Sequence, residues 1–154
     1  MSRHIIDCDA DPFIPTPEHG VGSLQPVTHK KRGLLELDFS DIKLYVSPNM
    51  KKYGSGSESR ETIYGGKLWQ ELEEKDVLNV NVLQYLLARP ELVPDEWCGK
   101  LVCFWGTIYS ITSAPSHTVV LAHQWAKKID KRLNAPLIWA EFGPQWPAAI
   151  LMKK

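Results

Sequence analysis

The sequence predicts an α+β fold in one compact domain spanning residues 1–154, with a mainly antiparallel sheet and a short central pair of helices. Three observations predict it. A capped helix begins near Asn79, a strand from 101 to 111 is apolar on both faces, and alternating segments cluster towards both ends of the chain. Strands around a central helical pair favour an α+β arrangement, and the length suits a single domain.

The first third of the chain predicts short strands separated by irregular segments. Residues 4–7 resemble a short strand, and residues 11–33 are expected to be irregular because they contain several prolines and glycines. The segments 34–39 and 42–46 alternate between apolar and polar residues, with a tight turn between them. That spacing predicts a β-hairpin.

Residues 47–66 are also predicted to be irregular. They contain Pro48 and the tract GSGSES at 54–59, a composition that behaves as flexible coil. The segment is either a mobile surface loop or a lid that becomes ordered when a ligand binds.

Two helices follow. The first, over 67–75, places Leu68, Trp69 and Leu72 on one side and glutamates on the other. For the second, Asn79 or Asn81 can accept a free N–H group of the first turn. Its apolar stripe consists of Leu83, Leu86 and Leu87, and it is expected to end before Pro90. Pro94 can begin a further single turn.

The last third predicts strands. In the strand 101–111, one face carries Val102, Phe104 and Ile108, and the other carries Leu101, Cys103, Trp105 and Tyr109. A strand that is apolar on both faces is expected to be central in its sheet. Further strands are predicted over 118–125 and 133–142, the latter at an edge because it contains a proline. The final PAAILMKK can form a strand or a helical turn.

The segments IIDCDADPF, VLNVNVLQYLLARPELVPDEWCGK, FWGTIY and the later PAAI resemble a group of small uncharacterised bacterial proteins. In that group a central "LLAxPELxPxEWxGK…FWGTIY" segment recurs. The resemblance covers most of the chain and implies a bacterial source. It implies no activity, because no function is established for the group.

Composition narrows the class of protein. Lysine plus arginine and aspartate plus glutamate both number 18, a balance that disfavours a dedicated duplex-DNA binder. Three cysteines without CxxC spacing disfavour a disulfide framework and suggest a reducing compartment. The apolar runs are too short to span a bilayer. We therefore expect a cytoplasmic protein without a membrane partner.

Asp7, Asp9 and Asp11 are the best candidates for chemistry. Carboxylates at the end of a strand can bind Mg²⁺ or Ca²⁺, which would support a small metal-dependent hydrolase or nuclease, with Glu18 or His19 assisting. The spacing of a calcium loop is met in part, but Pro12 occupies the position that requires glycine. The alternative is that the carboxylates are solvated or cap neighbouring N–H groups, with no cofactor.

The sequence contains six tryptophans, most of which are expected to pack in the core. Trp125, Trp139 and Trp146, in the C-terminal part, are candidates for an exposed binding surface. They favour a non-enzymatic interaction protein with a protein partner.

Basic groups supply another hypothesis. Residues 29–32, 51–52, 127–132 and the C-terminal lysines could form a patch that binds single-stranded nucleic acid beside exposed tryptophans. A Cys103–His123 pair on adjacent strands could in principle form a nucleophile and its base.

Overall fold

The structure is a computed structural model that describes residues 4–15, 19–56, 59–125 and 132–152, without the side chain of Phe39. Within these ranges the chain forms two α-helices and eleven strands. In chain order they are β1 (Ile5–Asp7), β2 (Leu24–His29), β3 (Leu34–Glu36), β4 (Ile42–Tyr45), β5 (Lys51–Tyr53), β6 (Arg60–Tyr64), α1 (Gly65–Leu72), β7 (Asp76–Val77), α2 (Val80–Ala88), β8 (Leu101–Ile111), β9 (Ala114–Gln124), β10 (Glu141–Phe142) and β11 (Ala148–Leu151).

The main sheet has six strands and is built around β8. The order along it is β2, β8, β11, β4. Strands β2 and β11 pair with different parts of one edge of β8, and β9 pairs with the opposite edge. Strand β7 pairs with β11. All strand pairs among the described residues are antiparallel except β11 with β8, where Ala148 lies opposite Cys103. Two small sheets, β1–β3 and β10–β6–β5, accompany it. The fold is α+β, as predicted.

Each face of β8 contributes to a separate apolar core, which confirms that this strand is central. Helix α2 covers one face, and its buried side chains pack in the first core. Helix α1 and the β10–β6–β5 sheet cover the other face, where Leu68, Leu72 and Phe142 pack in the second core. Every residue from Val102 to Tyr109 is buried, as expected for a strand covered on both sides.

The predicted faces of β8 are wrong beyond Gly106. Phe104 pairs with Leu121, but Ile108 pairs with the very next residue of β9, Val120. Three residues of β8 are therefore unpaired with β9, and an odd insertion reverses the side-chain alternation. As a result Tyr109 lies in the first core and Ile108 in the second, the opposite of the assignment made from the sequence.

The predicted hairpin over 34–46 does not form. Strand β3 pairs with β1, and β4 pairs with β11 near the end of the chain. A short 3-10 turn, Phe39–Asp41, separates the two strands. Alternation predicted the strands correctly, but the partners are distant in sequence.

Both segments predicted to be irregular contain regular structure. Strand β2 lies within 11–33 and tolerates Pro26 because β2 is an edge strand whose register shifts between Pro26 and Thr28. Strands β5 and β6 lie within 47–66 and form a hairpin, with Gly54 and Gly56 at positive φ in the turn. Residues 57–58 of the Gly/Ser tract lie outside the described residues.

The remaining boundaries differ in smaller ways. Helix α1 spans Gly65–Leu72 instead of 67–75, and β9 begins at Ala114 because only Thr112 and Ser113 form the turn before it. Over 133–142 the structure has two isolated bridges to β9 and the short strand β10. The C-terminal segment forms a strand, β11.

Helix α2 is capped as predicted. The Asn79 side chain accepts a hydrogen bond of 3.0 Å from the Asn81 backbone N–H, and the helix ends at Ala88 ahead of Pro90. Single 3-10 turns follow at Pro90–Leu92 and Asp95–Trp97.

Glu71 fixes α1 to β4 and to the segment after it. Its carboxylate accepts hydrogen bonds from the Tyr45 hydroxyl (2.8 Å), the Ser47 hydroxyl (2.9 Å) and the Asn49 side-chain amide (3.0 Å). Burial acts to raise the pKa of Glu71, but these hydrogen bonds and the nearby Lys75 outweigh it and lower the pKa below its usual value. Burial and the bond to Glu71 raise the pKa of Tyr45 to about 12, so Tyr45 remains a neutral donor.

Glu71→Gln is expected to lower the free energy of unfolding by about 1 kcal/mol at neutral pH, because an amide offers one acceptor atom where three donors converge. A carboxyl with a lowered folded pKa stabilises the fold above its unfolded pKa, and this contribution is lost as pH falls through the folded pKa. Urea unfolding of both proteins should therefore show a gap at pH 7 that closes in acid. Glu73→Gln is the control, because Glu73 is exposed and has no ion pair with the residues that the structure describes. A gap independent of pH would contradict the role of the Glu71 charge.

Candidate functional site

The carboxylates of the acidic start are used locally. Asp7 Oδ1 accepts the Asp9 backbone N–H (3.0 Å), and Asp9 Oδ1 accepts the Gly33 backbone N–H (2.7 Å). Asp11 is exposed, and Glu18 lies outside the described residues. Among the described residues, no three His, Cys, Asp or Glu side chains converge in a way that could bind a metal ion. The turn is thus held by capping interactions, and the Mg²⁺ or Ca²⁺ site stays a prediction.

The three candidate tryptophans occupy different environments. Trp125 is only 4% exposed and packs against Trp97, Phe104 and His123 in the first core, so it lacks the exposure that a binding surface requires. Trp146 is half-buried against Phe142. Trp139 is 58% exposed, and its ring lies 6.1 Å from that of Tyr64.

The basic groups are spread over the molecule. Arg32 makes a two-pronged ion pair with Asp76 (2.7 and 2.9 Å), and Lys30 Nζ donates to the Lys75 carbonyl (3.2 Å). Lys51 and Lys52 are exposed on β5. Residues 126–131 and 153–154 lie outside the described residues, so the nucleic-acid hypothesis stays a prediction.

Cys103 and His123 are not a nucleophile–base pair. Cys103 pairs with Ala122 and faces the second core, whereas His123 lies opposite Val102, with its ring against Trp125 in the first core. Burial raises the pKa of the Cys103 thiol, as it raises that of Cys8 to about 11. Both thiols are therefore protonated and unreactive at neutral pH.

A concave site does occur on the second face of the main sheet, in the gap between α1 and the end of β2. We call it the aromatic cavity. It has a volume of about 310 Å³ and is lined by Thr28, His29, Lys30, Trp69, Leu72, Glu73, Val77, Trp105 and Ile108. Its apolar floor consists of side chains that are at most 7% exposed, namely Leu72, Val77, Trp105 and Ile108. This volume is at the lower end of the range for ligand sites.

Hydrogen bonds hold the β2 side of the aromatic cavity in place. The Lys30 backbone N–H donates to the Gly106 carbonyl (2.7 Å), and the Asn79 side-chain amide donates to the Lys30 carbonyl (3.0 Å). His29 Nδ1 lies 2.8 Å from Thr107 Oγ1, which also accepts the Val80 N–H at the start of α2. The cavity wall is therefore tied to the bulge of β8 and to α2.

On the other side, α1 presents Trp69 and Glu73. These residues are four apart, and Glu73 keeps helical backbone angles (φ −58°, ψ −32°), so their side chains are neighbours on one helix face. Trp69 is 41% exposed instead of packing with Leu68 and Leu72 as predicted. The indole nitrogen of Trp105, in the floor, is buried with no hydrogen-bond partner among the described residues.

The mouth of the aromatic cavity carries opposite charges. A second concavity of about 530 Å³, the charged cavity, is lined by Lys30, Glu73, Glu74, Lys75 and Asp76, and it shares Lys30 and Glu73 with the aromatic cavity. Asp76 is neutralised by Arg32. Within the described part of the chain, Glu73 and Glu74 form no ion pair. They lie at the C-terminal end of α1, where the helix dipole is negative as well.

The aromatic cavity is not predictable from the sequence. Its one visible signal was Trp69 followed by Glu73 at helical spacing. Most of the other lining residues belong to β2, β7 and β8, which are distant in sequence and meet only in the folded sheet.

Comparison of the chain with family models, curated proteins and solved structures found no significant match. No helix of the described residues is long and apolar enough to cross a membrane.

Proposed function

We propose that the protein is a non-enzymatic interaction protein and that the aromatic cavity is the place where it binds its partner. One observation carries the proposal. Trp69, a large apolar side chain that is 41% exposed, borders a preformed cavity with a buried apolar floor. Exposed aromatic side chains at the edge of a pocket are typical of binding sites.

The polar groups around the cavity favour binding over catalysis. Both ring nitrogens of His29 are engaged, one with Thr107 and one with the Ala10 carbonyl (3.1 Å). Such a histidine orients the wall and is poorly placed to accept a proton from a substrate. The partner we propose is a protein that inserts one side chain, because the cavity is small and its rim is exposed.

Phenol and tert-butanol, as small apolar probes, should bind in the cavity and shift the NMR resonances of Leu72, Val77 and Ile108 and of the Trp105 indole N–H. Trp69→Ala should weaken phenol binding about fivefold, which corresponds to roughly 1 kcal/mol for a lost aromatic contact. Trp139→Ala removes an equally large exposed ring outside the cavity and is the control. Probe shifts that avoid the cavity, or equal effects of the two substitutions, would count against the proposal.

A further inference from the structure

We infer that the aromatic cavity binds an alkylated ammonium group, such as a quaternary ammonium. The inference rests on the proposed function and specifies its ligand. It is carried by two tryptophan side chains and by Glu73, whose carboxylate forms no ion pair with any described residue, around one small cavity with an apolar floor.

The two tryptophan side chains account for attraction of a cation. The face of an indole ring is electron-rich and attracts a cation placed over it, and tryptophan is the best of the aromatic side chains in this respect. Trp69 lines the cavity from α1 and Trp105 lines it from β8, so an alkylated ammonium in the cavity would lie beside both rings.

The carboxylates at the mouth add to this attraction, and Lys30 opposes it. Glu73 lies one helical turn beyond Trp69, and Glu74 follows it in the charged cavity. Lys75 is directed towards the Tyr45 ring, 5.2 Å from its centroid, and Lys30 donates to the Lys75 carbonyl. The end of α1 therefore already holds one ammonium group of the chain itself, and Lys30 would compete with an incoming cation.

The apolar floor decides which cation fits. A bare ammonium ion is strongly hydrated, and Leu72, Val77 and Ile108 offer no hydrogen bonds to replace its water. An ammonium that carries methyl or methylene groups can instead bury those groups against the floor and place its diffuse charge against the rings. The same chemistry occurs in free choline-like molecules and in methylated lysine side chains of proteins.

The test compares choline with its uncharged isostere 3,3-dimethyl-1-butanol, with the Trp105 indole N–H resonance as reporter. Choline should bind about fivefold more tightly than the isostere, and this preference should shrink at high salt. Glu73→Gln should remove most of the preference by weakening choline alone, and Lys30→Gln should increase it. Glu96→Gln, which makes the same charge change at an exposed position outside both cavities, should change neither affinity.

A comparison of two affinities shows whether the ammonium group belongs to a protein or to a free small molecule. The two ligands are acetylated trimethyllysine methylamide and choline. Tighter binding of the lysine derivative supports a protein side chain, in agreement with the protein partner proposed above. Tighter binding of choline also supports the inference, but it would replace that protein partner with a free small molecule. Equal binding of choline and its isostere, unchanged by Glu73→Gln, would overturn the inference and leave the proposed function intact. If these probes, phenol and tert-butanol all fail to shift cavity resonances, the proposed function itself is wrong.

Discussion

Gly65→Ala is expected to destabilise the protein by about 4 kcal/mol, whereas Gly66→Ala is expected to leave its stability unchanged or raise it by up to about 1 kcal/mol. A β-carbon on Gly65 would lie 1.9 Å from the Ile138 carbonyl oxygen and 2.8 Å from the Phe142 ring. The Gly65 backbone N–H also donates to the Ala140 carbonyl (2.9 Å), so helix and loop backbones must separate to admit the methyl group.

The neighbouring glycine is a matched control. A β-carbon on Gly66 would meet the Tyr64 ring at 2.6 Å, but that side chain is 36% exposed and can rotate away. Alanine is then favoured over glycine within a helix. Urea unfolding followed by tryptophan fluorescence measures both variants, with the m-value as a check on the transition. Similar stabilities for Gly65→Ala and the wild type would show that α1 does not begin in close contact with the 138–140 backbone.

This contact matters for the proposed binding site because it sets where α1 lies. The helix covers only part of the second face of the main sheet, and the uncovered part is the aromatic cavity. Glu71 fixes the outer side of the helix, while Leu68 and Leu72 hold its inner side. Trp69 lies on the other side of Leu68 and Leu72 from Glu71 and is 41% exposed, so it can face a ligand.

Local features of the sequence predicted where helices and strands occur better than they predicted which strands pair with each other. The Asn79 cap and the end of α2 were predictable because capping and proline effects act within a few residues. The pairing of β4 with β11 was not predictable, because alternation shows which residues of a strand share a face but does not show which strand lies beside it. The reversal of side-chain faces at Gly106 was not predictable either. A glycine suggests a bulge, but it does not show how many residues the bulge contains.

The candidate site was less predictable than the fold. Trp69 had the spacing of an apolar stripe, and only the position of α1 on the sheet shows that it borders a cavity. The acidic start predicts a metal site, whereas in the structure Asp7 and Asp9 accept hydrogen bonds from the backbone N–H groups of Asp9 and Gly33. A carboxylate that caps a turn and one that binds a cation are alike in sequence.

Asn79 joins three parts of the chain at one buried point. Its side-chain oxygen caps α2, and its amide donates to the carbonyls of Cys8 and Lys30, each at 3.0 Å. Asn79→Ala should therefore remove the cap and leave two carbonyls without their donor. We expect the free energy of unfolding to fall by about 3 kcal/mol, and amide exchange to accelerate in β1 and at the end of β2.

Asn79→Asp separates the cap from the bridging bonds, and Asn134→Ala is the control. Asn79→Asp keeps an acceptor for the Asn81 N–H but turns a buried carboxylate towards two carbonyl oxygens, so it should be at least as destabilising as alanine. Asn134→Ala removes an exposed amide and should change stability by less than about 0.5 kcal/mol. If the aspartate variant is as stable as the wild type, capping alone accounts for the contribution of Asn79 to stability. If instead the bridging bonds dominate, loss of Asn79 should also disturb the Lys30 backbone and, with it, binding in the aromatic cavity.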